Sequence, residues 1–423
     1  MTVMHTESSA VTKNSMAIPA AVIGTVLEWY DYAVYAYVAT IIAKKFFSTQ
    51  DPATALLSTF ATFGLGFVAR PLGGFLIGRA GDTMGRKPAL IFTFILMALA
   101  TAGIGLIPDY STIGIFAPIA LVLCRLLQGF AAGGEWGSST AFIVEWAPEG
   151  RRGFLGSFQQ ASVVGGLLLG SGLVALLSTV FTPGQMESWA WRAPFLLGAV
   201  LLPIGIYMRR NIGETPAYRE KRQITTSTPS LWGPGIAAFG FAILWTVAFY
   251  IVLAYMPTFT QKYAGLSRTA SLWSNTIGLL VAVVAIPLMG YLSDRFGRKP
   301  FLLLASVGFL VLTYPMFLLM AGGAPISTVI LIQIVFAILL ASYSGAGPAA
   351  IAELFPTLGR SMWMSTTYSL AVAIFGGFAP FIATWLIAET GSPMAPTYYV
   401  IAAAIVTTIV FLQLRETAFH RLA

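Results

Sequence analysis

The feature that most constrains this chain is a block of eleven residues that occurs twice. Residues 78–88 and 290–300 both read G-x3-D-x2-G-R-K-P, 212 positions apart, and each copy joins two long apolar stretches. A second repeat, at an offset of 208 positions, matches one triplet with another: Glu145, Pro148 and Arg152 with Glu353, Pro356 and Arg360. Repeats at half the chain length indicate a duplicated architecture, so we expect two homologous halves built from membrane-spanning helices.

The composition excludes several classes of protein. Charged residues make up 9% of the 423 residues and hydrophobic residues 57%, whereas soluble domains carry about a quarter charged residues. The single cysteine and the two histidines, His5 and His420, disfavour a disulfide framework, a metal centre and histidine-based catalysis. No phosphate-binding G-x4-G-K-[ST] sequence occurs. We therefore expect a protein of the lipid bilayer that is not an enzyme, has no cofactor and binds no nucleic acid.

Apolar runs of about 20 residues predict an all-α integral membrane protein with twelve transmembrane helices in two six-helix bundles. The predicted helices cover residues 17–43, 54–81, 88–107, 112–147, 153–181, 191–211, 232–262, 268–292, 300–321, 326–355, 360–388 and 396–415. The predicted organisation is a disordered tail (1–16), an N-terminal bundle (17–211), a cytoplasmic linker (212–231), a C-terminal bundle (232–415) and a short tail (416–423). Seventeen Lys and Arg residues lie on the side of the termini and five on the other, which places both termini in the cytoplasm.

After the charges near the loops are set aside, five ionisable residues remain within the predicted spans, and all are in the first half: Glu28, Asp31, Arg70, Arg125 and Glu135. Charges at bilayer depth are costly and are normally paired or functional. Three acids against two bases leave one acid in excess, which suits a proton carrier. We predict proton coupling through Glu28, Asp31 and Glu135, with Asp31 preferred on helix 1. The alternative is that these acids only pair with the arginines and hold helices together.

Arg70 lies near the middle of its span, where a guanidinium can bind a carboxylate through two hydrogen bonds. We predict that it anchors a small, anionic substrate, assisted by other polar groups of the first half: Arg125, Gln128, Gln159, Tyr32 and Tyr35. In the second half, Asn275 and Tyr343 are the preferred candidates because neither has an evident local structural role. The alternative for each aromatic residue is a packing role.

The repeated charged loops are predicted to form cytoplasmic gates. Each aspartate at the end of helix 2 or helix 8 can accept hydrogen bonds from the start of a neighbouring helix or pair with an arginine. The predicted gate residues are Asp82, Arg86, Glu145 and Arg152 in the first half and Asp294, Arg298, Glu353 and Arg360 in the second.

These loops resemble the signature of the major facilitator superfamily. The stretch Arg125-x2-Gln128-Gly129 is similar to the fourth-helix motif that this superfamily associates with proton coupling. Further blocks, such as Leu27-Glu28-Trp29-Tyr30-Asp31-Tyr32 and Trp191-Arg192-Ala193-Pro194-Phe195, resemble the metabolite–proton symporter family. The resemblance implies two pseudo-symmetric bundles around a central cavity, a monomer in the bacterial inner membrane, and proton-gradient-driven uptake.

The resemblance leaves the substrate open. Carriers of this family transport citrate and other di- or tricarboxylates, 2-oxoglutarate, shikimate, proline or betaine. The short segment after the last span, and Arg125 where betaine-type carriers can have lysine, favour an organic acid as the main expectation. The alternatives are a zwitterionic compatible solute of the proline/betaine type, or export of amphiphilic compounds.

Overall fold

The computed structural model describes residues 17–47, 51–84, 86–133, 135–200, 232–356 and 360–420, with backbone alone for 17–24, 78–90, 135, 138, 142, 146 and 199–200. Within this part of the chain, twelve long helical segments confirm the predicted all-α architecture. The first six are α1 (Ala17–Tyr37 and Ala39–Phe46), α2 (Pro52–Val68 and Arg70–Met84), α3 (Arg86–Leu106), α4 (Phe116–Ala131 and Glu135–Trp146), α5 (Arg152–Val180) and α6 (Ala193–Val200). The last six are α7 (Trp232–Tyr263), α8 (Arg268–Phe296), α9 (Lys299–Ala321), α10 (Ile326–Glu353), α11 (Arg360–Thr390) and α12 (Ala395–Gln413). The predicted N-terminal tail, the end of helix 6 and the linker lie outside the described residues.

The surface of the bundle fits a lipid environment. Among the described residues, eight helices are long and apolar enough to cross a membrane, and two shorter apolar helices are parts of α3 and α4. Large apolar side chains point outward along the bundle, among them Phe75, Leu99, Val284, Val311 and Leu412. An apolar exterior of this extent is stable in lipid and would aggregate in water.

Several predicted helices are interrupted, which corrects the expectation of continuous spans. The helical hydrogen bonding of α2 breaks at Ala69. Ala69 lies two residues before Pro71, whose ring conflicts with the preceding turn of the helix. The α4 segment breaks around Gly133. Two π-helical turns, Tyr250–Tyr255 and Val372–Gly376, lie within α7 and α11. Such turns often occur at functional sites, and each of these four irregularities lies near the middle of its own helix.

The two halves pack together through helix pairs related by the duplication, α5 with α8 and α2 with α11. Glycines allow the close approach of backbones. A Cβ on Gly153 would come within 2.6 Å of the carbonyl oxygen of Gly290, and a Cβ on Gly290 equally close to the carbonyl of Gly153. On the other side, a Cβ on Gly64 would lie 2.5 Å from the ring of Phe378. The halves therefore meet along both sides of a central region that contains the buried charges.

Candidate functional site

The buried guanidinium of Arg70 is enclosed by aromatic rings. Arg70 follows the irregular turn at Ala69, and its Cζ is 5.4 Å from the ring centroid of Trp29, 4.9 Å from Tyr32 and 4.8 Å from Phe67. Its Nη2 is 3.6 Å from Oε1 of Glu28, and both side chains are about nine-tenths buried. The ring faces and the carboxylate together stabilise a buried cation.

Several donors around this guanidinium have no hydrogen-bond partner within the described part of the chain. They are Nε and Nη2 of Arg70, the hydroxyls of Tyr32 and Tyr250, and the indole N–H of Trp136. The ring of Trp136 stacks on Tyr368 at 3.7 Å, and the charge of Arg70 acts on both Tyr250 and Tyr368. Buried donors are normally paired, so this set suits a ligand that carries acceptors.

A second buried arginine is connected to an acid through two side chains. Nη1 of Arg125 donates to Oε1 of Gln128 at 2.8 Å, and Nε2 of Gln128 donates to Oγ1 of Thr101 at 2.7 Å. The Thr101 hydroxyl lies 2.8 Å from Oδ2 of Asp31 and 3.0 Å from the carbonyl oxygen of Met97, and it can donate to either. A chain of hydrogen bonds through Thr101 and Gln128 therefore connects Asp31 with Arg125.

Rings also surround Arg125. Its Cζ lies 4.3 Å from the centroid of Tyr35 and 4.9 Å from those of Tyr32 and Phe63. Tyr32 lies between the two arginines and contacts both. The predicted substrate residues Arg70, Arg125, Gln128, Tyr32 and Tyr35 thus form one connected cluster. Gln159 is buried on α5, where its amide oxygen accepts from Gln160.

Asn275 and Tyr343, the substrate candidates of the second half, both form hydrogen bonds within the protein. The Asn275 amide donates to Oγ of Ser171 and to the carbonyl of Leu253, which joins the halves away from Arg70. The hydroxyl of Tyr343 donates to the carbonyl of Phe241 within the second half. Both polar groups therefore have partners within the protein, and their role in substrate binding stays a prediction.

The end of the bundle that carries the duplicated loops is called the signature end below. There, Asp294 of α8 accepts hydrogen bonds from the backbone N–H groups of Gly153 (2.9 Å) and Phe154 (2.8 Å) at the start of α5. Nη2 of Arg298 is 2.8 Å from the same carboxylate. The structure therefore shows the predicted geometry, in which an aspartate of one half binds the N-terminus of a helix in the other.

Two further ion pairs at this end cross between the halves with the symmetry of the duplication. Nη1 of Arg360 is 2.9 Å from Glu145, and Nη1 of Arg152 is 3.9 Å from Glu353. The side chains of Asp82, Arg86 and Glu135, predicted for the first gate and for proton coupling, lie outside the described residues. Their roles stay predictions.

The segment after α12 belongs to the same cluster, which was not predicted. Thr417 donates through its hydroxyl to Oε2 of Glu353, and Arg152 donates to the carbonyl of His420. Burial opposes the ionisation of Glu416. Hydrogen bonds from backbone N–H groups outweigh this effect and hold the pKa of the Glu416 carboxyl below its usual value. The donors are the N–H groups of Arg298, Lys299, Thr417 and Ala418. The carboxylate thus caps the start of α9.

The opposite end also carries contacts between the halves. Oε1 of Glu187, in the short helix Pro183–Ser188 before α6, is 2.8 Å from Nζ of Lys44 and 3.7 Å from Nη2 of Arg268 at the start of α8. The hydrogen bond from Lys44 is the main cause that lowers the pKa of Glu187. The hydroxyls of Ser171 on α5 and Thr276 on α8 are 2.8 Å apart. Polar contacts therefore join the two halves at each end of the described structure.

Two helical bundles joined around buried charges, with breakable polar contacts at both ends, define the class as a membrane transporter. The family comparisons agree. Residues 16–231 match the model described as "Sugar (and other) transporter" and residues 263–421 match "Major Facilitator Superfamily". The chain belongs to the major facilitator superfamily, and it is a multi-pass transporter rather than an enzyme.

Relatives match over nearly the whole chain. The proline/betaine transporter of Escherichia coli (strain K12) is 34% identical over 420 residues, which cover 95% of this chain and 83% of the relative. The glycine betaine/proline/ectoine/pipecolic acid transporter of Dickeya dadantii is 35% identical with the same coverage. The structure of the xylose transporter from E. coli in a partially occluded, inward-open conformation has a TM-score of 0.77 at 19% identity, covering 96% of this chain and 99% of that one. This last likeness concerns the fold.

Proposed function

We propose that this chain imports a zwitterionic solute of the proline/betaine type by proton symport across the bacterial inner membrane, with both termini in the cytoplasm. The relatives favour this substrate class over the organic acid expected from the sequence. The observation that carries the proposal is the Arg70–Glu28 pair at the centre of a ring-lined donor cluster. It offers one positive and one negative group, as a zwitterion requires.

A neutral substrate fits the electrostatics of this site. Leaving one member of a buried ion pair without its partner is strongly destabilising. A zwitterion can place its carboxylate on Arg70 and its ammonium group beside Glu28 and the rings, so both charges remain compensated. A dicarboxylate would add two negative charges next to Glu28, which already faces Arg70.

The hydroxyl of Thr101 supports proton coupling through Asp31. When Asp31 is ionised, Thr101 donates its hydrogen to Oδ2 of Asp31. When Asp31 is protonated, the acid can donate to Thr101, whose hydrogen then turns to the carbonyl of Met97 at 3.0 Å. Because Gln128 bonds both Thr101 and Arg125, this switch alters the surroundings of the arginine and couples protonation to the substrate cluster.

The test is uptake into proteoliposomes that contain the purified full-length chain. Labelled proline, glycine betaine, citrate and 2-oxoglutarate are compared with and without an imposed gradient, acidic outside. We expect accumulation of a zwitterion that depends on the gradient and is abolished by a protonophore. Gradient-driven accumulation of an organic acid, with no uptake of either zwitterion, would overturn the substrate assignment. Uptake that never exceeds equilibration would overturn proton coupling.

A further inference from the structure

A pair of stacked rings joins the two halves between the signature end and Arg70. The ring of Trp136 on α4 lies on the ring of Tyr368 on α11, with the centroids 3.7 Å apart and the planes inclined by 14°. The same two helices meet at the signature end, where Glu145 pairs with Arg360. The rings are therefore a second contact along one interface between the halves, called the α4–α11 seam below.

The depth of the ring pair follows from the rise of an α-helix. Trp136 lies nine residues before Glu145 and Tyr368 eight residues after Arg360, which places the rings about 12–14 Å from this ion pair along the helix axes. Helix α2 ends 14 residues after Arg70, so Arg70 lies about 21 Å from that end. A solute that leaves Arg70 toward the signature end along this seam has to pass the rings.

A third ring supports the pair from the second half. Trp245 of α7 packs edge to face against both rings, with centroids 5.9 Å from Trp136 and 5.8 Å from Tyr368. Its indole N–H donates to Oγ of Ser344 at 2.9 Å. A Cβ on Gly347 would lie 3.0 Å from the same indole ring, so the backbone of α10 confines it as well. The three rings therefore form one packed group.

The duplication repeats the ion pair of the α4–α11 seam but not its rings. The counterpart seam, between α10 and α5, has the matching pair of Glu353 with Arg152. At the same offset of 208 positions, Trp136 matches Ser344 and Tyr368 matches Gln160, and neither counterpart has a ring. The packing of the duplicated fold therefore does not require a ring pair at this depth.

We propose that the Trp136–Tyr368 ring pair is the gate between the buried cluster around Arg70 and the signature end, and that it opens when α4 and α11 separate. The inference rests on passage through that cluster, which is part of the proposed function, but it requires no particular substrate. Rings in face-to-face contact at 3.7 Å leave no space for a solute or for water between them. An aromatic pair shifts an equilibrium by only about two- to tenfold, so this gate can separate in each cycle.

The backbone beside the rings provides a way to open the gate without removing a ring. A Cβ on Gly137 would lie 2.7 Å from the backbone nitrogen of Ser365 and 2.8 Å from its Cα, so α4 and α11 touch next to the ring pair. A side chain at position 137 cannot fit unless the two helices move apart. Gly137→Ala should therefore widen the seam while Trp136 and Tyr368 are both present.

The experiment measures the width of the seam in the full-length protein in lipid nanodiscs, from distances between spin labels at positions 149 and 362. We expect Trp136→Leu and Tyr368→Leu each to raise the ratio of open to closed molecules about two- to tenfold. Tyr368→Phe keeps the ring and should restore most of the closure. The matched control is Phe309→Leu, which removes one ring of a stacked pair with Phe336 inside the second half and should leave the ratio unchanged.

Gly137→Ala should shift the same ratio in the same direction. Its control is Gly172→Ala in α5, because a Cβ there would lie 3.8 Å from Thr276, an ordinary contact distance. Thermal unfolding of every variant checks that the fold is intact. If Trp136→Leu does not fold, the comparison of Tyr368→Leu with Tyr368→Phe and the glycine pair still test the gate.

The outcomes are distinct. A wild-type distance distribution in both Trp136→Leu and Gly137→Ala overturns the gate. An equal widening in Phe309→Leu also overturns it, because a general loss of packing would then explain the effect. The label distances need no substrate, so they test the gate even if the uptake assay shows that the protein carries neither zwitterion.

Discussion

The backbone N–H of Gly153 donates a 2.9 Å hydrogen bond to Oδ1 of Asp294, which ties the end of α8 in the second half to the start of α5 in the first. A helix N-terminus carries partial positive charge, so a carboxylate is stabilised there. Arg298 holds the same carboxylate from its other side at 2.8 Å. Any conformation that opens the signature end between α5 and α8 has to break this contact.

We expect Asp294→Asn to weaken closure of the signature end. The asparagine amide presents N–H groups toward Phe154 or Arg298, so charge-assisted bonds worth about 1.5–3 kcal/mol are lost. The ratio of closed to open molecules should fall about tenfold or more, with slower transport at unchanged protein abundance. Spin-label distances between positions 149 and 362 measure the opening. The control is Glu389→Gln, which neutralises an exposed acid at the far end of α11. A wild-type distance distribution in Asp294→Asn would refute the role of Asp294 as a gate.

Arg70→Lys should raise the half-saturation concentration for substrate. Lysine keeps the charge but loses the planar fork and its stacking on Tyr32 and Phe67, and charged hydrogen bonds of this kind are worth about tenfold to a hundredfold in affinity. Initial rates of uptake against substrate concentration give the value. Arg295→Lys, whose guanidinium stacks on the exposed Tyr291 at the signature end, is the matched control. Wild-type affinity in Arg70→Ala would remove Arg70 from the site.

Thr101→Val tests the proposed proton switch. Valine matches the shape of threonine but removes the hydroxyl that lies between Asp31 and Gln128. We expect accumulation driven by a pH gradient to fall at least severalfold, while substrate counterflow between preloaded vesicles and medium persists. Thr313→Val in α9 removes a hydroxyl that is also buried but donates to its own helix and should transport normally. Asp31→Asn should reproduce the Thr101→Val phenotype; full accumulation in both variants would rule out this route.

Glu416→Gln tests the segment after α12. The amide keeps the size of the side chain but loses the charge that caps the start of α9, and an N-cap is worth about 0.5–2 kcal/mol. Since the pKa of Glu416 lies below its usual value of 4.5, the charged contact is present at neutral pH and is lost as the pH falls through the lowered value. We expect faster hydrogen exchange at the amides of Arg298 and Lys299 in the variant. Unchanged exchange there would show that the cap contributes little.

The sequence predicted the twelve helices and the gate geometry because both depend on local features. Apolar runs of bilayer length specify spans, and an aspartate at a helix end beside an arginine specifies a contact to a helix N-terminus. Arg70, Asp31 and Arg125 were likewise recognisable, because a charge inside an apolar run is informative by itself.

What the sequence could not predict depends on irregular backbone and on pairing across helices. Threonine is common in membrane helices as a donor to its own backbone, so nothing distinguished Thr101 from Thr313. The π-helical turn at Tyr250 has no local sequence pattern, and the unpartnered state of its hydroxyl is visible only in three dimensions. The hydrogen bonds of Asn275 and Tyr343 were hidden for the same reason, since their backbone partners, Leu253 and Phe241, are distant in sequence.

The opposite end should respond to pH through Glu187. Lys44 lowers the pKa of this carboxyl below its usual value of 4.5, so its contact with Arg268 is present at neutral pH and is lost as the pH falls through the lowered value. Glu187 is partly exposed (37% of its side chain) and screened by solvent, so we expect a change of only a few-fold in the closed population. Spin labels at positions 184 and 265 should report wider separation at pH 3 than at pH 7, and high salt should mimic part of this change.

Glu187→Gln removes the titrating group and should show the wide separation at both pH values. Asp109→Asn is the matched control, because Asp109 pairs with Lys45 and Arg192 within the first half and does not join the halves. Its variant should keep the pH response. A pH response that survives in Glu187→Gln would assign the opening to another group. No response in the wild-type protein would show that the contacts of Glu187 do not hold the halves together at this end.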